Sequence, residues 1–162
     1  MKHNSKIKIL FICHGNICRS PMAEFVMQYL CHTNGVESAF EIASAAVSTE
    51  EIGNDIYPPA KRKLCEKNIP FGYHSARQIT RADYDYYDYI ICADHSNIRW
   101  LKHIINKDTC EKVSLMMSWA GKDRDVSDPW YTGDFEAAYQ DIRLACENIL
   151  QQLQPSTIQD VE

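Results

Sequence analysis

No apolar run in the 162 residues approaches the roughly 20 needed to span a bilayer, and the amino terminus lacks the basic, apolar and small-residue succession of a signal peptide. A basic excess is missing as well. Seventeen lysines and arginines stand against 22 acids, a formal net charge of −5, which argues against a general nucleic-acid or membrane surface. With no repeat, low-complexity tract or linker, a single domain over residues 1–162 is expected, with the tail after Pro155 loose. Glycine is scarce, at six, and neither Gly-x4-Gly-Lys nor Gly-x-Gly-x2-Gly occurs, which speaks against nucleotide binding. The seven cysteines, at 13, 18, 31, 65, 92, 110 and 146, are an odd number without the close repeated spacing of a disulfide framework or zinc ribbon. Free thiols and a cytoplasmic location are the expectation. Cys31, Cys65, Cys110 and Cys146 read as small hydrophobes or bystanders.

What is present is concentrated in Cys13-His14-Gly15-Asn16-Ile17-Cys18-Arg19-Ser20-Pro21. The run Ile7 to Ile12 before it is short, apolar and β-rich, and Ser20-Pro21 reads as an N-cap followed by proline at the first helical position. A loop between a strand and a helix turns successive backbone N–H groups toward one point and adds the positive end of the helix dipole, which together make an anion site. Cys13 lies at its floor, where the same field favours thiolate over thiol. The planar fork of Arg19 can hold two oxygens of a phosphoryl group in transfer.

Further elements follow from periodicity. Met22, Phe25, Val26, Tyr29 and Leu30 recur at helical spacing, and Gly35 is the expected stop. Residues 41–47 read as a second strand, and Pro58-Pro59 opens a helix through Leu64 that ends near Pro70. Residues 88–93 read as a third strand. Ser96 is the expected cap of a helix with Ile98, Leu101 and Ile105 inward, and residues 113–117 fit a fourth strand. After a long polar loop, a last helix begins beyond Asp134 with Phe135, Ala138, Ile142, Ala145, Ile149 and Leu153 on one side. Strands alternating with helices imply an α/β fold, a parallel sheet covered on both faces, with ligands bound beyond the carboxyl ends of the strands.

The loop motif, together with Ser44-Ala45, Ile52-Gly53-Asn54, His74-x-Ala76-Arg77-Gln78, Asp94-x-Ser96-Asn97 and Asp128-Pro129-Trp130, resembles the low-molecular-weight protein tyrosine phosphatases almost end to end. The resemblance implies a flavodoxin-like, doubly wound four-stranded sheet and an enzyme without metal or organic cofactor. Its expected partners are phosphotyrosine-containing proteins, a tyrosine kinase being one candidate. No nucleic-acid or membrane partner is expected, and the oligomeric state is left open.

By the same resemblance Cys13 is the nucleophile, Arg19 the phosphoryl ligand and Asp128 the acid that protonates the leaving phenolate and then activates water. The negative charge of a bound phosphate favours the protonated form of Asp128, and Pro129 restricts Asp128 to extended backbone. Taken alone, Asp-Pro is only a turn signal. His14, Gly15, Asn16, Ile17, Cys18 and Ser20 complete the phosphate loop; Asn16, Ser44 and His74 correspond to the polar network that fixes it, and Ser20 to the hydroxyl bonded to the nucleophile. His74 could instead be a partly buried histidine satisfied by backbone, and capping alone would account for Ser20. Cys18 corresponds to a cysteine able to trap oxidised Cys13 as a disulfide; packing explains it equally well.

Trp130 and Tyr131 correspond to rings that line the substrate cleft, core packing being the competing reading. Two positions depart from the family. Glu50 stands where an aromatic wall is common, which disfavours acidic peptides, and His14 stands where an uncharged residue is common; His14 either tunes the field at Cys13 or only faces solvent, the second being the expectation. Ile17 favours phosphotyrosine over the phosphoarginine handled by similar enzymes with threonine there. No relay cysteine follows Cys92 at the spacing of arsenate reductases. The reading from another class is a module that captures phosphoproteins without turnover, which would have no use for an acid such as Asp128.

Overall fold

The computed structural model describes residues 5–154, so the expected loose tail after Pro155 lies outside the described residues. Four parallel strands, β1 (Ile7–Cys13), β2 (Phe40–Ala46), β3 (Tyr89–Cys92) and β4 (Val113–Leu115), form one sheet in the order β2-β1-β3-β4. This is the parallel α/β sheet that the alternation of elements implied, in the doubly wound arrangement that the family resemblance implied.

β1 is central and its residues Ile9 to Ile12 are fully buried, because helices cover both faces. The period of two divides them. Ile9 and Phe11, with Ile91, pack against α1 (Arg19–Thr33), α2 (Pro58–Glu66) and α6 (Phe135–Leu153). Leu10 and Ile12, with Ile90 and Cys92, pack on the other side against Tyr84 of α3 (Arg81–Tyr86) and Leu101 and Ile105 of α4 (His95–Ile105). Of the inward residues named for the last helix, Ala138, Ile142, Ala145 and Ile149 are fully buried, while Phe135 and Leu153 at its two ends are half-buried.

Several boundaries differ from those read in the sequence. Cys18, not Ser20, caps α1, so that Ser20 and Pro21 are its second and third residues; the Ser20 hydroxyl is engaged with Cys13 and Asn16 instead of with a helical N–H. Asp94, not Ser96, caps α4, in a capping box with Asn97, whose side chain accepts from the Asp94 N–H. The fourth strand ends at Leu115, and Met116–Ala120 turn as a 3-10 helix that buries both methionines. An apolar run does not distinguish these two outcomes. Two short helices had no strong apolar period: α3, started by a Thr80/Asp83 capping box, and α5 (Pro129–Thr132), which Asp128 caps. Gly35 does stop α1, with φ of 72°.

Candidate active site

β1 delivers Cys13 to the carboxyl edge of the sheet, and residues 14–18 turn there before α1 begins. The turn is fixed from outside. Val47 N–H donates to the Cys13 carbonyl (3.1 Å), Ser48 bonds the His14 carbonyl through its N–H (3.1 Å) and hydroxyl (2.9 Å), and Tyr57 N–H donates to the Ile17 carbonyl (2.9 Å). Asn16 holds the centre. It adopts φ of 63°, a left-handed conformation that asparagine tolerates better than most residues. Its Nδ2 donates to Ser20 Oγ (2.8 Å) and Ser44 Oγ (3.0 Å), its Oδ1 accepts from Arg77 N–H (3.2 Å), and its carbonyl accepts from His74 Nε2 (2.7 Å). His74 is therefore both satisfied by backbone and an anchor of the loop.

Donors converge on the sulfur of Cys13. The N–H groups of Asn16 and Ser20 lie 3.3 and 3.4 Å from Sγ, and the Ser20 hydroxyl lies 3.0 Å away. Cys18 is also buried, packed with Ile17 and Ala76 under Tyr57 and Phe135. Burial, then the proximity of Cys13 and Asp128, pushes the Cys18 thiol far up, so it stays protonated at neutral pH.

Arg19, only 2% exposed, donates through Nη1 to Asp94 Oδ2 (2.8 Å) and the Val126 carbonyl (2.8 Å), and through Nη2 to Asp128 Oδ2 (3.4 Å). Burial opposes its charge, but the neighbouring Cys13, Asp128 and Asp94 outweigh this and hold the guanidinium above its usual value. Asp128 has the extended backbone expected before proline, and its Oδ1 caps α5 by accepting from Trp130 N–H (3.1 Å).

The cleft opening over Cys13 is lined by His14, Gly15, Ile17, Cys18 and Arg19 from the loop, by Glu50 and Glu51, and by Asp128, Trp130 and Tyr131. Trp130 and Tyr131 are 50% and 82% exposed, so core packing does not explain them; the Trp130 ring rests on Tyr57 at 4.7 Å. Gly15 leaves little room for a side chain, since a Cβ would meet Glu51 Cγ at 3.2 Å. His14 does not simply face solvent. Its Nε2 lies 3.2 Å from Glu50 Oε2, and its ring meets Trp100 edge-on at 5.5 Å. The wall at Glu50 is thus acidic, with a histidine beside it.

Three contributors had no assigned part in the sequence reading. Asp94 orients Arg19. Arg77 meets Asn16 through its backbone. Glu24 accepts from Ser44 Oγ (2.6 Å), which extends the chain Cys13, Ser20, Asn16, Ser44 to a carboxylate. Glu24 stands one helical turn after Ser20, a spacing visible in the sequence, but its link to Ser44 crosses from α1 to β2. Among the described residues no group of three or more His, Cys, Asp or Glu could share a metal ion, and no helix is long and apolar enough to cross a membrane.

Residues 8–158 match the family model described as low molecular weight phosphotyrosine protein phosphatase. The chain belongs to this family. A chicken (Gallus gallus) low molecular weight phosphotyrosine protein phosphatase is 40% identical over 149 residues, covering 88% of this chain and 93% of its own length. The low molecular weight protein-tyrosine-phosphatase YfkJ of Bacillus subtilis is 35% identical over 150 residues, 91% of this chain and 96% of its own, and its crystal structure superposes with a TM-score of 0.90 over 94% and 98% of the two chains. A Drosophila arginine phosphatase has the same fold, with a TM-score of 0.82 at 29% identity over 91% of this chain and 98% of its own. The four-stranded architecture is common to this family and accommodates phosphatases named for different phosphoamino acids.

Proposed function

We propose that this chain hydrolyses phosphotyrosine in proteins through a phosphocysteine on Cys13. The observation that carries this reading is the convergence of two backbone N–H groups and one hydroxyl on Cys13 Sγ beneath a cleft that Arg19 and Asp128 share. Such donors stabilise a sulfur anion as they would any anion at a helix start.

The sulfur attacks phosphorus, forming an S–P bond as the bond to the phenolic oxygen breaks, and Asp128 delivers its proton to that oxygen. Water then attacks the phosphocysteine while Asp128 takes one of its protons; the S–P bond breaks and inorganic phosphate leaves. Arg19, fixed by Asp94 and the Val126 carbonyl, and the loop N–H groups hold the equatorial oxygens in both steps. His14, Gly15, Ile17 and Cys18 complete the wall of the phosphate site, while Asn16, Ser44 and His74 hold its shape. Trp130 and Tyr131 offer aromatic faces to a phenyl ring at the mouth.

Support for phosphotyrosine over phosphoarginine comes from the apolar Ile17 side chain in the cleft wall and from the tyrosine phosphatases among the relatives. The proposed partners are phosphotyrosine proteins, tyrosine kinases included, at a cytoplasmic location consistent with seven free cysteines. Steady-state hydrolysis of phosphotyrosine, phosphoserine and phosphoarginine peptides in EDTA, with Cys13→Ser as control, tests the reading. Metal-independent turnover of phosphotyrosine that vanishes in the variant is the expected result. Preference for phosphoarginine overturns the substrate, and tight binding without turnover overturns the enzyme.

A further inference from the structure

Beyond the cleft, the face of α4 carries Ser96, Arg99, Trp100 and His103, which border a shallow depression and recur at the spacing of one helix face. Trp100 is 45% exposed although tryptophan buries well, and its ring is held edge-on by His14, a residue of the phosphate loop. The depression and the cleft thus border on each other where His14 meets Trp100. Four of the six large exposed hydrophobics of the described residues gather in this region: Trp130 and Tyr131 line the cleft, Ile52 follows the cleft-lining Glu50 and Glu51, and Trp100 touches His14. Exposed apolar groups collected around a reactive site mark a surface that meets another polypeptide.

Charge around the mouth is unequal. Glu50 and Glu51 line the cleft, and the Glu50 side chain, 65% exposed, meets His14. Arg99 and His103 border the depression beside Trp100, and among the described residues Arg99, like Arg62 and Arg81, makes no salt bridge, whereas Arg19, Arg77, Arg124 and Arg143 do. An exposed guanidinium beside an exposed indole is a pairing suited to an acidic side chain and its neighbouring backbone.

We propose that the α4 face of Arg99, Trp100 and His103 is a subsite for the substrate segment flanking the phosphotyrosine, taking an acidic residue on Arg99 and packing chain against Trp100, while Glu50 and Glu51 favour a basic residue on the other flank. The proposal rests on the phosphotyrosine reading above and adds a polarity to it. A peptide entering with its acids toward Glu50 meets repulsion, and the same peptide reversed meets attraction at both ends. His14, between the two regions, separates them.

Two phosphotyrosine peptides of identical composition test this, one with aspartates before and lysines after the phosphotyrosine, the other reversed. Their equal net charge cancels long-range attraction. Fluorescence anisotropy measures their binding to the Cys13→Ser protein, and para-nitrophenyl phosphate turnover by the protein with Cys13 intact independently monitors the chemistry. One orientation is expected to bind about fivefold tighter, as a few exposed ion pairs allow. Arg99→Glu should abolish or reverse the preference. Trp100→Ala should weaken both peptides by roughly fivefold, with Trp100→Phe retaining most of the affinity. Both variants should hydrolyse para-nitrophenyl phosphate within about twofold of the parent rate, since neither touches the reacting atoms.

Equal binding of the two peptides, or a preference indifferent to Arg99→Glu, overturns the subsite. Self-association abolished by Trp100→Ala with peptide affinities unchanged overturns it in favour of a second copy as occupant. Failure of para-nitrophenyl phosphate turnover in the protein with Cys13 intact counts against the proposed chemistry, while the anisotropy still decides the subsite.

Discussion

The Ser20 hydroxyl lies 3.0 Å from the sulfur of Cys13, although seven residues and a change from strand to helix separate them. The contact exists because Asn16 Nδ2 donates to the Ser20 oxygen, leaving the hydroxyl proton free to point at the sulfur. A residue that would ordinarily serve a helix end is here turned onto the sulfur of Cys13.

Ser20→Ala should slow turnover by about tenfold or more, because the sulfur loses a donor it needs both as attacking anion and as leaving group. Alkylation of Cys13 by iodoacetamide at neutral pH should slow in parallel. An unchanged alkylation rate with intact turnover would show that the two backbone N–H groups suffice.

Asp128→Ala removes both the proposed acid and one partner of Arg19. Aryl-phosphate turnover should fall by about 10²–10⁴-fold, the range for lost general acid–base catalysis, while inorganic phosphate still protects Cys13 from alkylation. The loss should be smallest for esters whose leaving phenolate is most stable, since such a group needs no proton. A uniform loss across leaving groups would assign Asp128 a positioning part only.

Asn16→Ala should destabilise the protein by roughly 3 kcal/mol, since it deletes side-chain bonds to Ser20, Ser44 and Arg77 N–H in a fully buried site and leaves alanine at a positive φ. The midpoint of urea unfolding, at constant m-value, measures it. A change within about 0.5 kcal/mol would mean the loop is held by its backbone contacts alone.

Glu24 gives a pH signature. Burial raises its pKa above the ordinary glutamate value, against the lowering pull of the Ser44 hydroxyl. The folded protein therefore keeps a proton that the unfolded chain releases first. The stability this confers is full below the unfolded value and is lost as pH rises through the raised folded value. Stability should fall more steeply with rising pH, from acidic to neutral, in the parent protein than in Glu24→Gln, by urea midpoints compared at each pH. Parallel profiles would place the carboxylate in contact with water.

The elements with strong periods were legible in the sequence because their burial is lopsided along the chain: the inward stripe of α6 and the apolar core of β1 are patterns of period 3.6 and 2. The short pieces were not. α3 and α5, six and four residues long, carry too few turns for periodicity and are set by capping side chains at Thr80 and Asp128. The cap of α1 was misread for a related reason. Ser20 has the chemistry of a cap, and only the fold reveals that Asn16 and Cys13 both engage its hydroxyl.

The order Cys13 to Pro21 by itself determined a strand–loop–helix anion site with a thiol at its floor, because backbone N–H direction and helix polarity are local consequences of nine consecutive residues. Tertiary structure alone decided what surrounds that thiol. Asp94 and Val126 clamp Arg19, Ser44 and Arg77 hold Asn16, Glu24 ends the buried chain of hydrogen bonds, and Trp100 meets His14. Each of these contacts spans 20 or more residues of sequence, and no local preference encodes them. They form because parallel strands joined by helical crossovers bring their carboxyl ends to one edge of the sheet, where the polar groups that end each strand must find partners in one another.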